Sequence, residues 1–325
     1  MAIEAEPNLV TTDPSVVSGV PSPVEGIRHV RAIVLLAGSV RPSDLSRGIG
    51  RSLLDLPVEP GRSVLSLWSD QADSLANAAS VATLPLRVIV NRSAPAPTVP
   101  AQGSRAVISV ERDAADFRGT GGILRDAAAR YGPGDLMLVG NGAQVLTESL
   151  SSLALELLKS GGDISIIAHG DGTPSGLFLI RCSVLAAAAD VGFLDFKEQL
   201  LPRLSAAGHA VTVIQRNHAT GRPVRTLDGY LAGLRAFHRM KQGLPPIQDV
   251  FDDDWNRTFS IVESGANVDP TATVHDSVVL SGARIERGAA AVRCVICPRA
   301  VVRAGEIVAD RIVTESGDRG VRSNS

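Results

Sequence analysis

The sequence predicts an α/β fold, a doubly wound, mostly parallel Rossmann-like sheet, closed by a short C-terminal left-handed β-helix of hexapeptide repeats. Three observations carry this. Short apolar runs alternate with segments of helical spacing over residues 31–180. Beyond residue 256 the aliphatic residues instead recur in steps of five or six. The chain has 325 residues, 44% of them hydrophobic and 20% charged, which suffices for a full α/β core and one smaller unit.

In chain order, residues 31–38 (Arg-Ala-Ile-Val-Leu-Leu-Ala-Gly) form a continuous apolar run ending in small residues, the pattern of a buried parallel strand that delivers the chain to a loop. Leu65, Trp68, Ala72 and Leu75 give residues 63–79 a helical stripe. Residues 86–90 read as a second strand, 91–102 as a Pro/Ala linker and 106–110 as a third strand. A glycine-rich loop at 117–122 opens a helix running to Tyr131. Residues 136–140 form a fourth strand, followed by Asn141-Gly142; 147–159 form a helix, and 163–168 and 177–180 further strands. In such sheets ligands bind at the carboxyl ends of the strands, which points to the loops after Ala37 and Gly140.

In the tail, Val268, Val274, Leu280, Ile285, Ala291, Ile296, Val302, Ile307 and Val313 keep the five-or-six spacing over 45 residues. Neither a helix nor a flat strand holds that period. A β-helix does, because each short face turns one aliphatic side chain inward. Two to three coils expose aliphatic ends, so the unit is expected to pack on the α/β domain, to form a homo-oligomer or to dock on an active paralogue. Arg284, Arg287, Arg293, Arg299 and Arg303 are expected outside it.

The formal net charge of −2 excludes a large basic field, so neither nucleic acid nor an anionic membrane is an expected partner. No apolar run spans a bilayer, and residues 1–28 lack the basic start and apolar core of a signal peptide, which points to a cytoplasmic protein with a disordered leader. Cys294 and Cys297 form a CxxC. In an extended segment residues three apart point to opposite faces, which favours structural thiols over a metal or redox pair. Asp252–Asp254 reads as a solvated linker.

Leu36-Ala-Gly-Ser-Val-Arg-Pro-Ser43, Gly50-Arg-Ser-Leu-Leu-Asp-Leu56, Gly119-Thr-Gly-Gly122, Asn141-Gly-Ala143 and Arg222-Pro-Val-Arg-Thr-Leu-Asp-Gly-Tyr-Leu231 follow one another along the chain. In order and spacing over residues 30–313 they resemble the sugar-1-phosphate nucleotidyltransferases, including mannose-1-phosphate guanylyltransferases. The resemblance implies a nucleotide-diphospho-sugar transferase type of sheet over residues 29–250, a linker at 251–262, the β-helix at 263–315 and a flexible tail at 316–325. It implies a nucleotide site at Leu36, Ala37, Gly38, Ser39, Gly119, Thr120, Gly121, Gly122, Asn141 and Gly142, with small residues letting backbone N–H groups approach phosphate. Arg51 stands where the family has a lysine and is the catalytic candidate.

The departures also carry information. Family members hold Mg²⁺ on two aspartates, which here correspond to Ala143 and Pro223. The arginine loop is replaced by Val40-Arg41-Pro42-Ser43, and about thirty residues with an EKP turn are missing between Ala168 and Leu177. Losing a main electrostatic stabiliser costs on the order of a thousandfold in rate. The expected function is therefore a degenerate homologue that binds a nucleotide or nucleoside-diphosphate sugar, with no metal site. The alternative is an active guanylyltransferase-like enzyme that recruits Asp44, Asp55 or Asp228 for Mg²⁺. A lesser alternative is a hexapeptide-repeat acyltransferase using His275.

Overall fold

A computed structural model describes residues 26–38, 42–101, 105–113, 118–186, 192–244, 258–315 and 317–320. The labels used below are β1 (Val30–Leu36), α1 (Asp44–Ile49), α2 (Val64–Ala78), β2 (Leu84–Val90), β3 (Ala106–Arg112), α3 (Gly119–Ala128) and β4 (Leu136–Asn141). They continue with α4 (Leu150–Lys159), β5 (Ile164–His169), β6 (Pro174–Arg181), β7 (Val211–Arg216) and α5 (Leu227–Lys241). The seven strands form one sheet in the order β7-β5-β6-β4-β1-β2-β3. All neighbours are parallel except β6, which runs against both β4 and β5. The reversal has a local cause. A tight turn joins β5 to β6, with the His169 N–H donating to the Thr173 carbonyl at 2.7 Å, and so few residues permit a hairpin but no crossover.

The period-two alternation of the strands sends side chains to helices on both faces. Ile33, Leu35, Leu86 and Leu138 pack with Trp68 and Leu75 of α2, Leu153 of α4 and Leu234 of α5. Ala32, Val34, Met137 and Val139 meet Leu124 of α3 and Leu200 on the other face. Ser63 caps α2 reciprocally with Ser66, Ser149 caps α4, and Thr226 caps α5, each accepting a backbone N–H of the first turn. The glycine motif at 119–122, expected as a loop, is the first turn of α3. Gly119 takes the left-handed φ of 72° that turns the chain into the helix, and the Gly121 N–H donates to the Leu194 carbonyl at 2.8 Å.

The C-terminal residues form three stacks of short parallel strands, which is a β-helix. One stack runs Ile261–Val262, Val278–Val279, Val295–Ile296 and Arg311–Thr314; the second Asn267–Val268, Arg284–Ile285 and Val301–Val302; the third Thr273–His275, Ala290–Val292 and Ile307–Ala309. Partners lie seventeen residues apart, as Ile261, Val278, Val295 and Ile312 show. The corners share that repeat, with left-handed backbone at Gly265, Gly282 and Arg299 and again at Asp276, Arg293 and Asp310. Val274, Leu280, Ile285, Ala291, Ile296, Val302 and Val313 are buried. Ile307 is not: it is 75% exposed, and Val308 fills the interior in its place. The sequence offers two adjacent aliphatics there, and the seventeen-residue repeat aligns the second with Ala291. Of the arginines, Arg284, Arg287, Arg299 and Arg303 are exposed, and Arg293 is half-buried against Asp310.

The coils and the sheet share one core. Phe259, Ile261, Val278, Leu280, Val295, Cys297 and Ile312 pack in the same cluster as Ile49, Leu54 and Tyr230. The first paired strand begins at Ile261, inside the segment expected as a linker, and Gly317–Gly320, expected as free tail, pairs antiparallel with Arg311–Thr314. Among the described residues no helix is long and apolar enough to cross a membrane.

Candidate functional site

The carboxyl ends of β1, β2, β3 and β4 open into a cleft of about 930 Å³. It lies where the strand order reverses between β1 and β4, the position at which open α/β sheets leave a crevice. Leu36, Ala37 and Gly38 follow β1 into it, Asn91 to Pro95 follow β2, Asp113 follows β3, and Asn141 and Ala143 follow β4. The start of α3 contributes Arg118, Gly119, Thr120 and Ile123. The remaining wall comes from the segment around α1, with Ser43, Ser46, Arg51 and Ser52, and from Phe193 and Arg225.

The residues named from the sequence separate into three groups. Leu36, Ala37, Gly38, Gly119, Thr120, Asn141 and Arg51 line the cleft. Gly121, Gly122 and Gly142 are buried behind its surface: a Cβ on Gly121 would meet the Leu194 carbonyl at 2.9 Å, and one on Gly142 would meet Leu54 at 3.3 Å. Ser39 and the Asp252–Asp254 run lie outside the described residues.

Three of the backbone N–H groups beside these loops are already engaged within the protein. The Ala37 N–H donates to the Ile89 carbonyl at 2.9 Å, the Gly142 N–H to the Leu36 carbonyl at 3.0 Å, and the Ala143 N–H to Asn141 Oδ1 at 3.2 Å. These donors are consumed in stitching the loops to the strand ends. The serines are occupied as well: Ser43 caps α1 and Ser52 caps the turn at Leu53–Asp55.

Positive charge also enters the cleft through side chains. Arg51, Arg92, Arg118 and Arg225 come from four separate segments, and among the described lining residues Asp113 is the single carboxylate. Arg51 is held by Glu263 of the first coil at 2.6 Å, and Glu263 also accepts the Ser281 N–H at 2.8 Å. The Nε of Arg51 is shut away from solvent without an acceptor among the described residues. Arg118 pairs with Asp126. Arg92 and Arg225 are exposed. Sequence reasoning passed over Arg92, Arg118 and Arg225 because arginine supplies nearly all the positive charge of this chain, which holds only three lysines.

Phe193 was also missed. It is 57% exposed at the cleft, in a chain with 3% aromatic residues, and its neighbour Leu194 pins it there. The Leu194 N–H donates to the Arg118 carbonyl at 2.9 Å, and its carbonyl accepts from Gly121. The sequence signal is faint, one large apolar side chain beside a turn glycine, Gly192, with φ 96°.

Ala143 and Pro223, which the resemblance sets against metal-holding aspartates, do come together. Gly221–Pro223 pairs antiparallel with Gln144–Leu146, Pro223 facing Gln144, and the Val224 N–H donates to the Ala143 carbonyl at 2.9 Å. A methyl group and a proline ring offer no side-chain oxygen, so this corner does not fit a divalent cation. The three substitute candidates do not line the cleft. Asp44 is exposed and pairs with Arg47, and Asp228 is exposed on α5. Asp55 turns away to accept the Thr98 N–H at 2.7 Å, and burial holds its carboxyl above the usual range. Among the described residues no three His, Cys, Asp or Glu side chains converge as a metal-binding group. His275 sits in the coil stack, its carbonyl accepting the Arg293 N–H at 2.9 Å. Cys294 and Cys297 are buried in separate clusters, and burial pushes the Cys297 thiol up to about 12.

No family model and no curated protein matches the sequence. Among solved structures, the chain is similar to a homologue of Mycobacterium tuberculosis Rv0371c from Mycobacterium sp. strain JC1, at 18% identity over 66% of this chain and 98% of that one, with a TM-score of 0.45. It is also similar to HddC from Yersinia pseudotuberculosis, at 13% identity over 64% of this chain and 100% of that one, again with a TM-score of 0.45.

Proposed function

We propose that the cleft binds a nucleotide or nucleoside-diphosphate sugar and that the protein is a binding or regulatory homologue of the sugar nucleotidyltransferases rather than an efficient transferase. The observation that carries this reading is the pairing of a ligand-sized cleft at the sheet's switch point with an apolar corner, Ala143 beside Val224, where a metal-dependent transferase needs carboxylates. The cleft has a part for each portion of such a ligand. Guanidinium groups take phosphate oxygens in pairs, and the amino end of α3 adds the positive end of its dipole. Phe193 offers an exposed aromatic face on which a base can stack, worth about 1–3 kcal/mol. Calorimetric titration of the four common nucleoside diphosphates and their sugar conjugates tests binding, and a pyrophosphate-release assay over several sugar phosphates tests turnover. Binding without turnover is the expected result. Turnover that is abolished by replacing Asp44, Asp55 or Asp228 would replace this reading with that of an active enzyme.

A further inference from the structure

We propose that Asn91 sets which nucleobase the cleft accepts, by pairing its carboxamide with the polar edge of the base. This rests on reading the cleft as a nucleotide site and adds what chooses among nucleotides. Asn91 directly follows β2 and lines the cleft. Ile89, two residues earlier, packs in one cluster with Leu124 of α3 and with Leu194. The strand period of two therefore places Asn91 on the face of the sheet that α3 and Leu194, the neighbour of Phe193, cover. Gly38 makes room for it: a Cβ there would stand 2.6 Å from the Asn91 side-chain carbonyl carbon and 2.8 Å from its backbone nitrogen. The glycine after β1 thus lets the Asn91 side chain lie across the end of the neighbouring strand.

The backbone of Asn91 is fixed while its carboxamide is free. The Asp113 N–H donates to the Val90 carbonyl at 2.9 Å, and the Ala94 N–H to the Asn91 carbonyl at 3.0 Å. Arg112 draws in the turn that follows, donating to the carbonyls of Arg92 at 2.7 Å and Ala94 at 3.0 Å. The other carboxamide lining the cleft, that of Asn141, spends its oxygen on the Ala143 N–H at 3.2 Å, and the Thr120 hydroxyl accepts the Phe196 N–H at 2.9 Å. The Asn91 carboxamide meets no partner among the described residues. A half-buried amide held in this way keeps a donor and an acceptor side by side for a ligand. Phosphate offers acceptors only, which suits the guanidinium groups, whereas the edge of a base offers a donor beside an acceptor. The bases differ in where that pair stands, so an amide in a fixed place ranks them.

The test titrates the full chain by calorimetry with the four common nucleoside diphosphates and with inorganic pyrophosphate. The wild type is expected to favour one nucleoside diphosphate over the next by about tenfold or more. Asn91→Ala is expected to weaken that one about ten- to a hundredfold and to bring the four within about threefold of one another. Pyrophosphate should bind both proteins alike, within about twofold, since it has no base. Gly38→Ala, which pushes the carboxamide aside, should give the same loss of ranking, and adding it to Asn91→Ala should cost nothing further. Should Asn91→Ala not fold, Asn91→Leu, close in shape and without donor or acceptor, carries the same test. A wild type that ranks the four alike would overturn the role of Asn91 and leave the nucleotide site. So would a ranking unchanged in the Asn91 variants, whether the affinities hold or fall together as they would for a contact to ribose or phosphate. If the wild type binds none of the nucleoside diphosphates, both the role and the site fall.

Discussion

Asp276 is the joint between the coils and the sheet, and replacing it with alanine tests whether the two share one folding unit. Its side chain is 2% exposed at a coil corner with φ 43°. Oδ1 accepts the Thr258 N–H at 2.7 Å and the Phe259 N–H at 3.1 Å, and Oδ2 accepts from Arg235 of α5 at 3.2 and 3.3 Å. Asp276→Ala strands a buried donor at Phe259, costing about 2 kcal/mol, and a partly wet one at Thr258, costing about 1 kcal/mol. The half-buried Arg235 loses its partner, and alanine fits left-handed backbone poorly, which together add about 1–2 kcal/mol. The expected loss is about 4 kcal/mol, near a thousandfold in the unfolding equilibrium. Asp276→Asn keeps an oxygen for the two N–H groups and tolerates the positive φ, so it should cost about 1–2 kcal/mol. Urea unfolding followed by circular dichroism and by the fluorescence of buried Trp68, with Trp255 replaced by phenylalanine in every variant, provides the readout. Both signals should move together to a lower midpoint in Asp276→Ala. A Trp68 transition that stays in place, or a loss equal to that of Asp276→Asn, would refute the shared core.

Three further outcomes follow from the same structure. Phe193→Ala should weaken nucleoside diphosphates about tenfold while leaving inorganic pyrophosphate unaffected, by calorimetry, since pyrophosphate has no base to stack. Gly119→Ala should destabilise the fold by more than about 2 kcal/mol in thermal unfolding, because its φ is 72° and a Cβ would stand 2.4 Å from the Leu194 carbonyl oxygen. Two hydrogen bonds from Arg87, at 2.7 and 2.8 Å, hold the Glu111 carboxyl below its ordinary value of 4.5. A lowered folded pKa gives stability that is full above 4.5 and is lost as pH falls through the folded value, so Glu111→Gln should flatten the acid limb of stability against pH.

Much of this architecture is legible because burial writes a period into the sequence. β1 from Ala32 onward and β4 are covered on both faces and read as apolar runs, and the coil repeat shows in the five-or-six spacing. β7 is not legible in that way: as an edge strand it leaves Val213 53% exposed, and its pattern is weak. The cleft was legible as a place, through the small residues after β1 and β4, but its chemistry was not. A glycine reads the same whether its N–H faces a ligand or, as at Gly142, donates to a neighbouring strand end. Phe193 and Arg225 carry no local motif, and only the folding of separate segments brings them to the cleft.

Hydrogen–deuterium exchange of the full chain, with and without the tightest-binding nucleoside diphosphate, tests most directly that this cleft is the ligand site. Protection is predicted at the end of β1 around Ala37 and Gly38, at the start of α3, beside Phe193 and at Arg225, with the outer coils from Arg299 to Glu306 unchanged. Protection confined to the coils, or none in the cleft at saturating ligand, would contradict the account.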